Sequence, residues 1–169
     1  MANPKSLNVR AYIGIGSNLE QPLAQVKSAC KVLAAHPHIT LVDTSPWYQS
    51  KAVGPGSQPD YVNGAGLLNT ALAPEELLDA LQAIELAHGR ERSVRWGART
   101  LDLDILLIET LTQQTPRLTV PHPRMTERNF VLQPLLDLNP TLQLPDGRHI
   151  DHLLNIIGTQ DLAVIKEGH

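Results

Sequence analysis

Asp102 and Asp104, separated by one leucine in the run "TLDLDILLIE", are the side chains best placed to do chemistry. On a strand, alternate residues share a face, so the two carboxylates stand on one side, about 7 Å apart. Two anions that close repel, and partial burial raises the cost. A divalent cation reverses the sign of that interaction. Aspartate oxygens are hard ligands that suit Mg²⁺, which fills its remaining positions with water and substrate phosphate. Taken alone, the pair reads first as a solvated strand end paired with Arg95 or Arg99. The preceding loop shifts the balance. In "RERSVRWGAR", residues 90–99, Arg90, Arg92, Arg95 and Arg99 stand against the single acid Glu91, in a chain of net charge −3. Arginine is suited to forked contact with phosphate oxygens. A cationic loop beside a dicarboxylate strand fits a polyphosphate and its Mg²⁺, each partner supplying the charge the other lacks.

Neither G-x-x-x-x-G-K-[ST] nor a complete G-x-G-x-x-G is present, so the glycines of "GIGSN" are expected to serve only a strand-to-helix turn. Phosphate grip must then come from side chains and metal. Aromatic residues make up only 4% of the chain. Trp96 lies inside the arginine loop, Phe130 follows "PHPRMTERN", and Tyr61 shares a strand face with Asn63. Aromatic rings with an amide suit a flat heterocycle, by stacking on its face and bonding its edge. Taken singly, each ring also reads as core. His122 is held stiffly between Pro121 and Pro123, whereas His88 and His149 read as structural or solvated. Cys30 falls in a helical pattern and reads as a packed thiol rather than a nucleophile.

These residues need a frame. "VRAYIGIGS" (9–17) predicts a strand, "PLAQVKSACKVLAAH" (22–36) a helix opened by Pro22, and "ITLVDTSPWYQS" (39–50) a strand with Pro46 at a bulge or edge. "KAVGPGSQPD" (51–60) reads as a loop. "YVNGAGLLNTAL" (61–72) returns as a strand, and "APEELLDALQAIELAHG" (73–89) is the plainest helix. On "TLDLDILLIE", Leu101, Leu103, Ile105 and Leu107 are expected on one face. Asp102, Asp104, Leu106 and Ile108 are expected on the other, of a central strand covered on both sides. "RLTVPHPRM" is stiffened by prolines, "ERNFVLQPLLDL" (127–138) predicts a helix interrupted by Pro134, and "IDHLLNIIG" a last short helix. The order β-α-β-β-α-β is the ferredoxin-like arrangement, an α+β fold with a mainly antiparallel sheet, helices on one face, and here a C-terminal extension.

The 169 residues, 42% hydrophobic and 18% charged, suit a single domain over 1–169. The mild acidity gives no general reason to bind nucleic acid or an anionic membrane. No run of about 18 apolar residues is present, the first ten residues lack the apolar stretch of a signal peptide, and a single cysteine fits a reducing cytosol. A cytoplasmic monomer acting on small molecules is the expectation.

"GSNL" (16–19), "GPGSQPDYVN" (54–63), "RWGARTLDLDILL" (95–107) and "LTVPHPRMTERNFVLQPL" (118–135) resemble, in order and spacing, the motifs of the 6-hydroxymethyl-7,8-dihydropterin pyrophosphokinase family of folate biosynthesis. The resemblance spans roughly residues 9 to 155. It implies a ferredoxin-like α+β fold and Mg²⁺-dependent pyrophosphoryl transfer from ATP to the pterin's hydroxymethyl group, leaving AMP. It further implies two Mg²⁺ ions on Asp102 and Asp104. Arg90, Arg92 and Arg99 would grip the triphosphate, with Trp96 closing over the site. Gln82, Glu85, Ile105, Arg117, Thr119, His122 and Arg128 would line the ATP site. Tyr61 and Phe130 would stack on the pterin, and Asn63 would bond its edge with help from Ser50 and Val53. Two rivals use other chemistry. A Mg²⁺-dependent phosphohydrolase would pair the same aspartates with water and need no stacking pocket. An RNA-binding module would need exposed strand aromatics and a basic sheet face, against which the aspartates and a pI of about 6.1 count.

Overall fold

The computed structural model describes residues 8–50, 61–89 and 101–166. The order is β1 (Val9–Ser17), α1 (Pro22–Ala35), β2 (Ile39–Thr44), β3 (Tyr48–Ser50), β4 (Tyr61–Thr70), α2 (Pro74–Gly89), β5 (Leu101–Ile108), β6 (Gln113–Gln114) and β7 (Thr119–Val120). A 3₁₀ turn (Met125–Glu127), α3 (Asn129–Leu138), α4 (Ile150–Ile157) and β8 (Leu162–Val164) follow. The sheet runs β5-β1-β4-β3-β8, with β2 also paired to β4, and every pairing is antiparallel. The elements β1, α1, β2, β4, α2 and β5 thus form the expected β-α-β-β-α-β frame.

Local chemistry accounts for the element ends. Pro74 opens α2, Glu75 and Glu76 occupy its positive first turn, and Glu76 Oε1 accepts the Ala73 N–H at 2.8 Å. Pro22 opens α1 after Gln21, whose φ is +54°. The stretch expected as one strand over 39–50 is two, because Pro46 has no N–H to give the ladder. The Ser45 hydroxyl bridges the break, accepting the Ala65 N–H at 2.9 Å and donating to the Pro46 carbonyl at 2.7 Å.

Both sheet faces are covered. Val26, Ala29, Leu33, Leu77, Leu81 and Ile84 of α1 and α2 pack on Ile13, Ile15, Leu68, Leu101, Leu103 and Ile105. On the opposite face Leu132, Leu135, Ile150 and Leu154 of α3 and α4 pack on Tyr12, Leu67, Leu106 and Leu107. The expectation of helices on one face only is therefore corrected: the C-terminal extension roofs the second. It also returns as β8, an element the sequence pattern did not announce.

Three further expectations change. β5 is not central but ends the hydrogen-bonded order, and its carbonyl edge is engaged by the His122 N–H, which donates to Leu106 O at 3.0 Å. The strict alternation along β5 fails at Leu106: Ile13 pairs with Ile105 and Tyr12 with Leu107, so Leu106 is the extra residue of a bulge. A bulge shifts the pleat by one. Leu107 therefore joins Leu106 on the α3–α4 side, and Ile108 joins the α1–α2 side. Finally, α3 runs through Pro134 without interruption. Its fully buried Leu132 and Leu135 hold it, since packing rather than propensity supplies most helix stability in proteins.

Leu132, wholly buried at the α3–sheet contact, tests how much that roof contributes. Leu132→Ala should cost about 2–5 kcal/mol, the range for a truncated core leucine, read as a lowered urea midpoint at unchanged slope.

Candidate active site

The antiparallel pairings bring the end of β1 between the starts of β4 and β5. Gly16 is paired with Asn63 on one side and Asp102 on the other, and Gly14 with Ala65 and Asp104. Residues directly opposite each other share a face, so Asp102 and Asp104 stand on one wall. Asn63 stands two strand spacings away, about 10 Å, and between them β1 offers only bare glycine backbone. Gly14 and Gly16 are thus strand residues flooring a pocket. Their assignment to the turn alone is corrected: both are paired on each side within β1, and the turn falls at residues 18–21.

The pocket has a volume of about 450 Å³. It gathers Ser50, Tyr61, Asn63, Asp102, Asp104, His122, Arg128 and Phe130, and adds Gly14, Gly16, Leu106 and Val131, which sequence reading did not assign to it. A glycine at every second position of a strand was the available signal for the first two, since that spacing leaves one face without side chains. Leu106 falls on the aspartate face as strand alternation expects; it is Leu107 and Ile108 that the bulge moves.

His122 follows a cis Val120–Pro121 bond. Its backbone is held by Leu106 O, and its Nδ1 accepts the Arg124 N–H at 3.1 Å. A neutral ring that accepts at Nδ1 carries its proton on Nε2. Burial, opposed by Asp104 and aided by Arg128 and Arg124, holds the imidazole below its usual range. At neutral pH it is an uncharged donor at Nε2. Arg128, just before α3, has its guanidinium 5.9 Å from the Phe130 ring centroid, a cation–π arrangement that places a positive charge beside an aromatic wall.

Glu85 lies behind the acidic pair. Its Oε2 accepts the Leu103 N–H at 2.7 Å, between Asp102 and Asp104. Burial raises its carboxyl to about 7, the Leu103 bond opposes, and the charges of Asp102 and Asp104 add to the rise. Among the described residues no cluster of three or more histidine, cysteine or acidic side chains forms a closed metal cage. Two carboxylates on one open wall are instead what Mg²⁺ accepts when water and phosphate complete its shell. The donor set fits that ion.

Of the other expected positions, Gln82 is exposed on α2, Ile105 is 3% exposed in the α1–α2 core, and Thr119 lies in β7. Arg117 is engaged by Asp79 at 2.7 Å and by Glu75 at 3.7 Å. None of these four, nor Glu85, lines the pocket. Arg90, Arg92, Trp96, Arg99 and Val53 lie outside the described residues. Cys30 is a half-buried thiol raised to about 11 by burial, and so inert. No helix among the described residues is long and apolar enough to cross a membrane.

An acidic wall faces a wall of aromatic rings and an amide across a ferredoxin-like sheet, an arrangement suited to phosphoryl transfer onto a flat heterocycle. Residues 12–140 match the model of the 7,8-dihydro-6-hydroxymethylpterin-pyrophosphokinase family, to which this chain belongs. The 2-amino-4-hydroxy-6-hydroxymethyldihydropteridine pyrophosphokinase of Pseudomonas aeruginosa is 54% identical over 145 residues, covering 86% of this chain and 90% of that protein. That of Haemophilus influenzae is 47% identical over 146 residues, covering 86% and 91%. Among solved structures, an HPPK-DHPS in complex with substrates superposes with a TM-score of 0.70 at 11% identity, over 88% of this chain and 43% of that one. Plasmodium falciparum HPPK-DHPS with pteroate gives 0.67 at 14%, over 88% and 42%. The chain thus spans under half of those solved chains, and at such identity they speak for the fold alone.

Because Glu85 is raised from 4.5 to about 7, the folded state holds a proton that the unfolded chain has released. Its contribution to stability is full below pH 4.5 and is lost as pH rises towards 7. Glu85→Gln keeps an acceptor for Leu103 without the charge. In metal-free buffer the variant should match the parent near pH 4.5 and exceed it above the raised value of about 7, by urea denaturation. Equal midpoints under both conditions would contradict the assignment.

Proposed function

We propose that this chain binds ATP with two Mg²⁺ ions and 6-hydroxymethyl-7,8-dihydropterin, and transfers the terminal pyrophosphoryl group to the pterin's hydroxymethyl oxygen. The carbinol oxygen bonds to the β-phosphorus and gives up its proton to water, the bond from that phosphorus to the oxygen of the α-phosphate breaks, and AMP leaves. The observation that carries this reading is the row Asn63–Gly16–Asp102. It puts an amide and a carboxylate on either side of a strip without side chains, which supports a heterocycle edge on one side and a metal-bound phosphate on the other.

In this reading Asp102 and Asp104 hold the ions. When bound, Mg²⁺ neutralises phosphate charge and polarises the phosphorus under attack. His122 hydrogen-bonds a phosphate oxygen through its Nε2–H; the Arg124 N–H on its Nδ1 supports a donor role over that of a base. Arg128 adds positive charge where the transferred group accumulates negative charge. Tyr61 and Phe130 stack on the pterin, Asn63 bonds its edge, and Ser50 completes that side, with Val53 assigned to it by family resemblance alone. Gln82, Glu85, Ile105 and Thr119 serve the nucleotide from the β5–β7 side, Ile105 through its backbone because its side chain is buried. Arg117 would exchange its bonds with Asp79 and Glu75 for the nucleotide. Arg90, Arg92, Arg99 and Trp96 are assigned by family resemblance to the triphosphate and to cover over the site. Held positions of this kind supply rate by orientation and by charge already in place. We take one copy of the chain, in the cytoplasm, as the working unit; a single cysteine fits a reducing compartment.

Incubation with ATP, Mg²⁺ and 6-hydroxymethyl-7,8-dihydropterin should yield AMP and a pterin diphosphate. ATP consumption independent of pterin would favour a phosphohydrolase instead. Asp102→Ala or Asp104→Ala should lower turnover by about a hundred- to thousandfold, in line with the loss of a charge-stabilising group at the reacting centre, while pterin binding in a fluorescence titration largely survives. Near-normal turnover in either variant would sink the metal assignment.

A further inference from the structure

Gly16 faces the pocket without a side chain, between Asn63 on β4 and Asp102 on β5. A Cβ at this position would fall on Asn63 Oδ1, well inside contact distance, with Asn63 Cγ 3.4 Å away and Val62 O at 3.6 Å. The Asn63 carboxamide therefore lies folded over the Gly16 α-carbon, in space that any other residue would fill. None of the three nearest atoms belongs to Asp102, so added bulk would act on the amide side of the row. The amide is half-buried on the pocket wall, and no side-chain hydrogen bond joins it to another described residue. A partly buried amide is a ready partner for a ligand edge that offers both a donor and an acceptor.

We propose that Gly16 is a specificity-determining positioning residue: its lack of a side chain sets the orientation in which Asn63 presents its carboxamide to the donor–acceptor edge of the heterocyclic substrate. This rests on the reading of Asn63 as a pterin-edge ligand. The neighbouring glycines separate the effect from ordinary packing. At Gly64 a Cβ would meet the buried Trp47 ring at 2.5 and 2.6 Å, a stiff group that cannot step aside. At Gly66 it would meet Ile15 at 3.3 Å and Ile13 at 3.5 Å, both in the α1–α2 core. At Gly14 it would make only normal contact with Leu106 at 3.6 Å. Only at Gly16, of these four, is the obstructing atom the far end of a flexible polar side chain. A methyl there rotates an amide rather than displacing a core, so it should change binding and leave folding nearly untouched.

The test is an equilibrium titration of 6-hydroxymethylpterin fluorescence with the full chain, Gly16→Ala, Asn63→Ala and the double variant, with urea midpoints for each. Gly16→Ala should weaken pterin binding about tenfold, the scale of one lost hydrogen bond, with an unchanged midpoint. In the Asn63→Ala background the same substitution should cost less than about twofold, since coupled residues fail to add. Gly66→Ala should leave pterin affinity unchanged. If Gly16→Ala costs as much with Asn63 absent, the methyl blocks the pocket itself and the positioning role is wrong. If it costs nothing while Asn63→Ala weakens binding, the role is also wrong. If Asn63→Ala itself leaves pterin affinity intact, it is the underlying reading of Asn63 that fails. Should Gly16→Ala not fold, the double variant must, because the collision is then removed; an unfolded double variant overturns the proposal.

Discussion

Like charge held close is the constraint around which the rest of the structure is arranged. Asp102 and Asp104 project from alternate positions of one strand, and Glu85 reaches the Leu103 amide between them. Left to themselves, three carboxyls in a half-buried site would spread apart or take up protons. The antiparallel ladder to β1 prevents the first, because separating the aspartates would mean breaking pairs from Ser17–Leu101 to Ile13–Ile105. The second happens at Glu85, whose burial favours the protonated form. The fold therefore holds a protonated carboxyl against its two aspartates where three charges would otherwise meet.

That arrangement explains why β5 stands at the end of the sheet order and yet is buried on both faces. Along the aspartates no further described strand is paired to it, and the Leu103 N–H is taken by Glu85 Oε2 instead. Farther along, the edge is closed by the His122 amide on Leu106 O. The bulge at Leu106 serves the same end. It lets one strand point carboxylates and then Leu106 into the pocket while still delivering Ile108 to the α1–α2 core. A regular strand could not do both, since strict alternation would put Ile108 under α3.

The legible part of the fold was the part governed by short-range chemistry. Pro22 and Pro74 mark helix starts, the acidic first turn of α2 is written in Glu75 and Glu76, and the Asp-Leu-Asp alternation fixes two carboxylates on one face. The order of the long elements up to β5 follows from those segments. What escaped depends on contacts remote in sequence. The bulge at Leu106 exists only against Tyr12 and Ile13. Pro134 is tolerated inside α3 because Leu132 and Leu135 are buried against strands far earlier in the chain, beyond the window over which periodicity can be read. β8 is three residues long and has no periodicity to read. For the site, residue type revealed the acids, the rings and His122, whereas the role of Gly14 and Gly16 lies in what they lack.

The short strand β8 carries its own implication. It lies along β3, pairing Leu162 with Ser50, while the Ile165 amide is bonded to the Trp47 carbonyl at 2.8 Å. Three residues near the end of the described chain thus act as a selvedge for the strand that brings Ser50 to the pocket rim. A tag, graft or deletion that disturbed 162–165 would leave β3 with a raw hydrogen-bonding margin, the kind of border that recruits stray strands from other molecules. Clumping on the shelf, rather than a damaged centre, would be the first symptom of such engineering.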